Sequence, residues 1–192
     1  MKQFRIGIFA SGNGTNAEEI LKHFQRHVSI EVVLLLSNNP QAYVLERAKK
    51  YTISVTIFAR LQFGETGEVL NWLKEKNVTH LVLAGFMWLV PDNLVRAFPG
   101  KIINIHPALL PKFGGKGMYG MHVHEAVKAA DEKETGITIH EVNERYDEGK
   151  ILFQATCSVT GTDTPEQIAQ KVHQLEYTHY ARAIEKWILN KN

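Results

Sequence analysis

The amino-acid sequence predicts an α/β fold: a single domain over residues 1–192 with an open, mostly parallel, Rossmann-like sheet and an antiparallel C-terminal part. Two observations lead to this prediction. In the first half, short apolar strands alternate with amphipathic helices, as in sheets whose parallel strands are joined by helices on both faces. In the second half, two strand-like segments follow each other without a long helix between them, which favours antiparallel pairing.

The alternation in the first half can be followed segment by segment. Apolar runs predict five strands, over residues 4–10, 29–36, 53–58, 78–84 and 102–105. Apolar residues three and four positions apart predict helices over residues 16–26, 42–51 and 67–76. Because these helices separate consecutive strands, the strands are expected to run parallel.

The second half is predicted to contain a glycine-rich loop, two strands and a long helix. Residues 112–121 include four glycines, which predicts a mobile surface loop. The two strands are predicted over residues 135–142 and 150–159. The start of the last helix is well marked, because Thr164 is followed by a proline at the first helical position and Gln167 can complete a capping box.

Composition argues against several classes of ligand. The formal net charge is +2 and the basic residues are spread along the chain, so no nucleic-acid or membrane partner is indicated. The longest apolar runs are far shorter than a membrane span. The single cysteine, Cys157, permits no internal disulfide and favours a reducing compartment. A cytoplasmic protein with small-molecule partners is therefore expected, as a monomer or a homodimer.

A glycine-rich turn at residues 12–16 separates the first strand from the first helix. Glycines allow close approach of an anion, and the helix start offers free N–H groups, so a phosphate is the predicted ligand. A dinucleotide is less well supported, because residues 37–39 are Ser-Asn-Asn where an acidic residue would hold a ribose. A tight turn without any ligand remains an alternative.

Polar residues at a strand end form the second candidate feature. Asn104 and His106 are two positions apart, so their side chains point to the same face before Pro107 ends the strand. An amide beside an imidazole can stabilise an oxyanion and transfer a proton. A hydrogen-bonded histidine at a strand end is the alternative interpretation. Asp147 lies in an Asp-Glu-Gly turn, which on its own is more typical of structure than of catalysis.

Three motifs together resemble a known enzyme family. They are Gly-Asn-Gly-Thr-Asn at 12–16, Asn-Ile-His-Pro-Ala-Leu-Leu-Pro at 104–111 and Asp-Glu-Gly at 147–149. They are similar to those of the folate-dependent formyltransferase family, and within it of the phosphoribosylglycinamide formyltransferases. The resemblance runs from the first strand to the last helix. It implies transfer of a formyl group from 10-formyltetrahydrofolate to the amine of glycinamide ribonucleotide in purine biosynthesis, without a metal, and a cis Leu110–Pro111 peptide bond.

The resemblance also implies roles for individual residues. The catalytic residues would be Asn104, His106 and Asp147, with Asp147 favouring the charged form of the His106 imidazole. The ribonucleotide would be bound by Gly14, Thr15, Asn16, His173 and Glu176. The folate would be bound by Arg60, Met87, Trp88, Leu89, Val90 and Asn104. The family commonly has arginine at the position of Trp88, so the folate segment departs from the pattern there.

Other functions are less well supported by the sequence. A methionyl-tRNA formyltransferase would need a C-terminal RNA-binding domain, and a formyltetrahydrofolate hydrolase would usually carry a regulatory domain before the first strand; neither is expected here. A non-catalytic nucleotide-binding module would explain the turn at 12–16 but not Asn104, His106 and Asp147 together. His122 and His124 are not expected to bind a metal, because no third ligand has a matching spacing.

Overall fold

Seven strands form one sheet in the computed structural model of the chain, which describes residues 3–190. Their order across the sheet is β3-β2-β1-β4-β5-β6-β7. The strands are β1 (Phe4–Phe9), β2 (Ile30–Ser37), β3 (Ser54–Ile57), β4 (His80–Leu83), β5 (Ile102–His106), β6 (Glu134–Glu141) and β7 (Ile151–Ser158). The pairs from β3 to β5 are parallel, whereas β6 and β7 are antiparallel to their neighbours. The predicted fold class is confirmed.

Seven helices are found within the described range. They are α1 (Thr15–Phe24), α2 (Val44–Ala48), α3 (Arg60–Gly64), α4 (Glu68–Glu75), α5 (Asp92–Ala97), α6 (Met121–Ala129) and α7 (Pro165–Asn190). The predicted bounds of α1 and α4 and the predicted start of α7 are each within two residues of the observed ones. Helix α2 is shorter than the predicted range of residues 42–51. The sequence did not predict α3, α5 or α6. The first two of these have five and six residues, which is too short for a helical pattern of apolar residues to be evident.

The core lies on both faces of the sheet because successive residues of a strand point in opposite directions. In β1, Ile6 and Ile8 face α1 and α7, whereas Phe9 faces the layer that contains α4 and α5. Gly7 lies on the same face as Phe9, and a Cβ there would meet the side chain of Leu73 in α4 at 3.1 Å. Apolar side chains from both helix layers therefore bury the central strands.

The start of α7 shows the predicted capping box. The N–H of Thr164 donates to Oε1 of Gln167 at 2.8 Å, and the N–H of Gln167 donates to Oγ1 of Thr164 at 3.3 Å. These bonds satisfy N–H groups that a helix start leaves without intrahelical partners. The helix then runs for 26 residues and packs against α1, α6 and β6.

The strand order determines where a ligand can bind. The chain leaves β1 for β2 on one side and returns to β4 on the other side, so β1 and β4 are neighbours at a topological switch point. In open α/β sheets, ligands bind in the crevice at the carboxyl ends of such strands. No helix within residues 3–190 is both long enough and apolar enough to cross a bilayer.

Candidate active site

A cavity of about 660 Å³ opens at the carboxyl ends of β1, β4 and β5. The turn after β1, the loop after β4, the glycine-rich loop before α6 and one side of α7 surround it. Twelve of the thirteen predicted site residues line this cavity: Gly14, Thr15, Asn16, Met87, Trp88, Leu89, Val90, Asn104, His106, Asp147, His173 and Glu176. Arg60 does not line it.

His106 is held between a carbonyl and a carboxylate. Its Nε2 lies 2.7 Å from the carbonyl oxygen of Phe113, and because a carbonyl only accepts, this nitrogen carries a hydrogen. Its Nδ1 lies 3.5 Å from Oδ2 of Asp147. The side chains of His106 and Asp147 are only 4% and 11% exposed, so the interaction takes place largely out of water.

Burial dominates the protonation of His106. It lowers the pKa of His106 below the ordinary value, although the Asp147 carboxylate and the Phe113 carbonyl act in the opposite direction. Burial also acts to raise the pKa of Asp147, but contacts with His140, His106 and the N–H of Gly115 outweigh it, and the pKa lies below its usual range. The free protein therefore pairs an ionised Asp147 with a His106 that is mainly neutral near pH 7. The expectation that Asp147 favours the charged form of His106 is correct in direction, but burial of the imidazole outweighs that effect.

His140 is a site residue that sequence reasoning missed. It lies opposite Asn104 in the antiparallel pair of β5 and β6. Its Nδ1 donates to the Glu141 carbonyl at 2.9 Å, and its Nε2 lies 3.1 Å from Nδ2 of Asn104, which can donate a hydrogen bond to it. The same Nε2 lies 3.6 Å from Oδ1 of Asp147. His140 thus orients the Asn104 amide and lies next to the Asp147 carboxylate. The register of β5 against β6 would have revealed this.

Asp147 also anchors the glycine-rich loop. Its backbone is left-handed, with φ of 56°, and its Oδ2 accepts a hydrogen bond from the N–H of Gly115 at 2.9 Å. The segment after β5 is held from the other side, because Oγ1 of Thr138 donates to the Ala108 carbonyl at 2.7 Å and accepts from the N–H of Leu110 at 2.9 Å. The Leu110–Pro111 peptide bond is cis, as predicted.

The turn after β1 and the last helix, α7, are in contact beside the cavity. Nδ2 of Asn16 donates to Oε2 of Glu176 at 3.0 Å, while Oδ1 of Asn16 is buried without a hydrogen-bond partner among the described residues. Glu176 is 6% exposed. Burial raises the pKa of Glu176 to about 7, against the hydrogen bond from Asn16. A carboxyl group that titrates near neutral pH therefore faces the glycine-rich turn.

Gly14 is required by packing as well as by its backbone conformation. It has φ of 77°, and a Cβ at this position would lie 2.8 Å from Cα of Val44 in α2. Gly12 differs, because a Cβ there would meet no atom within 4 Å. The two glycines of one turn thus have different structural roles.

The predicted folate segment forms an apolar wall of the cavity. Met87 and Leu89 are 47% and 38% exposed, and the N–H of Met87 donates to Oγ of Ser11 at 3.1 Å. Trp88 packs edge-on against Phe58 at 5.9 Å between ring centroids. The Arg60 guanidinium lies 4.9 Å from the Trp88 ring, so this arginine is next to the cavity wall rather than in it.

The two histidines of α6 point in different directions. His122 is exposed and its ring lies 5.4 Å from that of Tyr119, whereas His124 is buried and its ring lies 6.4 Å from that of His173. Residues two positions apart on a helix do not share a face. Within residues 3–190, no group of three or more potential ligands converges on a metal position.

Comparisons with known proteins show what this chain is similar to. The family model described as formyl transferase matches residues 4–184. The chain is 39% identical over 186 residues to the chloroplastic phosphoribosylglycinamide formyltransferase of Arabidopsis thaliana, covering 94% of this chain but only 64% of that protein. It is 37% identical to the phosphoribosylglycinamide formyltransferase of Bacillus subtilis (strain 168), covering 97% and 94% of the two chains. The crystal structure of the enzyme of that name from Bacillus halodurans superposes with a TM-score of 0.87, at 38% identity, over 98% of this chain and 97% of that one.

Proposed function

We propose, on the premise that this chain belongs to the formyl transferase family, that it transfers a formyl group from 10-formyltetrahydrofolate to the amine of glycinamide ribonucleotide in purine biosynthesis. One observation supports this proposal above the others. Asn104, His106 and Asp147, which are distant in sequence, surround one cavity that also contains the glycine-rich turn and Glu176. A cavity of about 660 Å³ is large enough for two small substrates bound side by side.

The two ends of the cavity suit different substrates. The turn at residues 14–16 begins α1, where backbone N–H groups favour a phosphate, and Glu176 beside it can accept a hydrogen bond from the substrate amine. The apolar wall of Met87, Trp88 and Leu89 suits a flat pterin ring. These assignments bring the amine and the formyl carbon together near Asn104 and His106.

The reaction is a direct attack through a tetrahedral intermediate. The neutral amine adds to the formyl carbon, and negative charge develops on the formyl oxygen, where the Asn104 amide donates a hydrogen bond. His106 takes up the proton that the amine loses, through a water held by Asp147, and the imidazolium is stabilised by the Asp147 carboxylate. The proton then passes to the folate nitrogen as the carbon–nitrogen bond breaks, so no proton is gained or lost overall.

The neutral state of His106 fits this role. A base must be unprotonated when the amine attacks, and burial favours that state by lowering the pKa of His106. The nearby carboxylate favours the cation once the proton has arrived. The effect of Asp147 on His106 therefore matters most once the imidazole has taken up the proton.

Both substrates are small molecules, and we assign no nucleic acid, membrane or metal to the reaction. The chain acts as one domain in this proposal, as a monomer or a homodimer. The free cysteine Cys157 is consistent with a reducing compartment, and the cytoplasm is the proposed location.

An acceptor comparison tests the function. Purified protein is given 10-formyltetrahydrofolate with glycinamide ribonucleotide, with methionyl-tRNA or with water alone, and loss of the formyl-folate is followed optically. Turnover is expected with the ribonucleotide only, and His106→Ala should abolish it, whereas His122→Ala on the exposed face of α6 should not. Equal turnover with water would identify a hydrolase, and turnover with the tRNA would identify a different transferase.

A further inference from the structure

Helix α2 packs directly on the glycine-rich turn. The N–H of Val44 donates to the carbonyl of Gly12 at 3.1 Å. The side chain of Val44 fills the space beside Gly14, where a Cβ would otherwise lie. The turn and α2 therefore form one packed unit, and the conformation of the turn depends on residues outside the cavity.

Arg47 in α2 uses all three nitrogens of its guanidinium group to bind the turn and the start of α1. Its Nε donates to the carbonyl of Asn13 at 2.8 Å, and its Nη2 donates to Oδ1 of Asn13 at 2.8 Å. Its Nη1 forms an ion pair with Glu18, and its charge lies 5.1 Å from the centre of the Tyr43 ring. A planar fork of donors can make all these contacts at once, which a lysine cannot.

Glu18 explains why a cation is needed at this position. It lies in the first turn of α1, its N–H donates to the Gly14 carbonyl at 2.9 Å, and its side chain is 9% exposed. Burial acts to raise the pKa of Glu18, but hydrogen bonds from Lys50 and Arg47 outweigh it and the pKa lies below the ordinary value. The carboxylate is thus ionised close to the helix end that would receive a phosphate, where an unpaired negative charge would repel it.

We propose that Arg47 is a positioning residue for the phosphate of the ribonucleotide. It holds both oxygens of Asn13, which fixes the turn, and it neutralises Glu18, which makes the start of α1 receptive to a dianion. Arg47 does not line the cavity, so it acts through these two residues. The identity of the substrate rests on the proposed function, but the claim itself concerns any ligand that presents a sugar phosphate.

Calorimetric binding of ribose 5-phosphate tests the proposal without the formyl-transfer reaction. We expect Arg47→Met to weaken this binding by about tenfold or more, as for loss of a charged hydrogen-bond donor, and to change tetrahydrofolate binding by less than about twofold. Arg47→Lys should also weaken it, because one ammonium cannot hold Asn13 and Glu18 together. The double variant Arg47→Met/Glu18→Gln should recover part of the loss, since the repelling carboxylate is gone.

Lys50→Met is the matched control. Lys50 also contacts Glu18, at 3.1 Å, but within residues 3–190 it makes no hydrogen bond with the turn. The Lys50→Met variant should bind ribose 5-phosphate nearly as well as the unmodified chain. In the full assay, Arg47→Met should raise the KM for glycinamide ribonucleotide and leave kcat nearly unchanged.

Three results would overturn the proposal. They are unchanged sugar-phosphate affinity in both Arg47 variants, equal loss of sugar phosphate and folate, and failure of the unmodified chain to bind ribose 5-phosphate. If Arg47→Met does not fold, Arg47→Lys decides the question because it keeps a cation beside Glu18. If the unmodified chain binds ribose 5-phosphate but does not formylate glycinamide ribonucleotide, the proposed function fails, and the binding comparison still decides the role of Arg47.

Discussion

Two opposing effects act on His106. Burial favours the neutral imidazole, and the carboxylate of Asp147 at 3.5 Å favours the charged one. Burial has the larger effect in the free protein, yet the carboxylate becomes important when a proton arrives. A base that is neutral at rest and stabilised once charged suits a reaction that must take a proton up and give it back.

The first prediction concerns this pair. Asp147→Asn keeps the shape, and asparagine tolerates the left-handed backbone at this position. Removal of the negative charge should lower the pKa of His106 further and move the acidic limb of the kcat/KM profile to lower pH. Activity near neutral pH should fall by about 10²–10⁴-fold, the usual effect of losing a positioned proton-transfer group. The histidine is titrated by NMR and the rates are measured with both substrates.

A double-mutant cycle gives the decisive comparison. If His106 and Asp147 act as a unit, the variant with both Asp147→Asn and His106→Ala should be little slower than the variant with His106→Ala alone. Losses that multiply would show that the two residues work independently, and an unchanged His106 pKa in Asp147→Asn would show the same. Either result would contradict the coupled mechanism.

The second prediction concerns Glu176. Its pKa of about 7 in the folded protein lies above the ordinary value of 4.5. The folded state therefore favours the protonated carboxyl, and this contribution to stability is complete below about pH 4.5 and is lost as the pH rises through 7. Glu176→Gln removes the titration. The variant should gain stability relative to the unmodified chain between pH 5 and pH 8, by up to roughly 3 kcal/mol.

Denaturant unfolding at the two pH values measures this effect. Glu75→Gln, on the exposed face of α4, is the control for removal of a glutamate elsewhere. A difference between Glu176→Gln and the unmodified chain that is the same at pH 5 and pH 8 would contradict the raised pKa. The same variant should bind the ribonucleotide less well, because it cannot provide a carboxylate for the amine.

At the scale of elements, the turn between β1 and α1 is shaped by its packing on α2. The third prediction compares its two glycines. Gly14→Ala should destabilise the fold by about 2–4 kcal/mol, from a left-handed backbone and a clash with Val44. Gly12→Ala should change stability by less than about 1 kcal/mol, since a Cβ there meets no atom within 4 Å. Unfolding in guanidinium chloride compares them. Equal stability of the two variants would contradict both the clash with Val44 and the cost of the left-handed backbone at residue 14.

The turn at residues 12–16 was only partly predictable from the sequence. The strand–turn–helix order around residues 12–16 was predicted from apolar runs and glycines, because both are local signals. The clash of a Cβ at 14 with Val44 was not predictable, since it depends on how α2 packs. Gly14→Val would therefore disturb the packing of α2 as well as the turn.

Some helices and side-chain contacts were not predictable from the sequence. Helix α6 has only nine residues and begins at the last residue of the predicted loop over residues 112–121, and no helix was predicted there. His140 became recognisable only from the register of β6 against β5. The contact of Arg60, the predicted folate residue, with the ring of Trp88 beside the cavity was also not predicted. For His140 and Arg60 the missing information is a tertiary contact, which local periodicity does not contain.

At the scale of the whole molecule, the last helix joins parts of the chain that are far apart in sequence. Asn16 after β1 bonds to Glu176 in α7. One turn later, the Tyr180 hydroxyl donates to the carbonyl of Leu83 at the end of β4 at 2.8 Å, and the carbonyl of Ile103 in β5 lies 3.4 Å from it. The helix that carries Glu176 is thereby fixed to the strands that end at the cavity.

The last prediction tests this attachment. Tyr180 is 1% exposed, and burial, with a smaller effect of Glu176, raises its pKa well above the ordinary value, so the hydroxyl keeps its proton and remains a donor. Tyr180→Phe leaves the Leu83 carbonyl without this bond and should cost about 1–2 kcal/mol of unfolding free energy. Tyr177→Phe, on a half-buried part of the same helix, should cost less. Thermal and denaturant unfolding compare the two variants. Equal losses would show that the hydroxyl of Tyr180 does not fix α7 to the sheet.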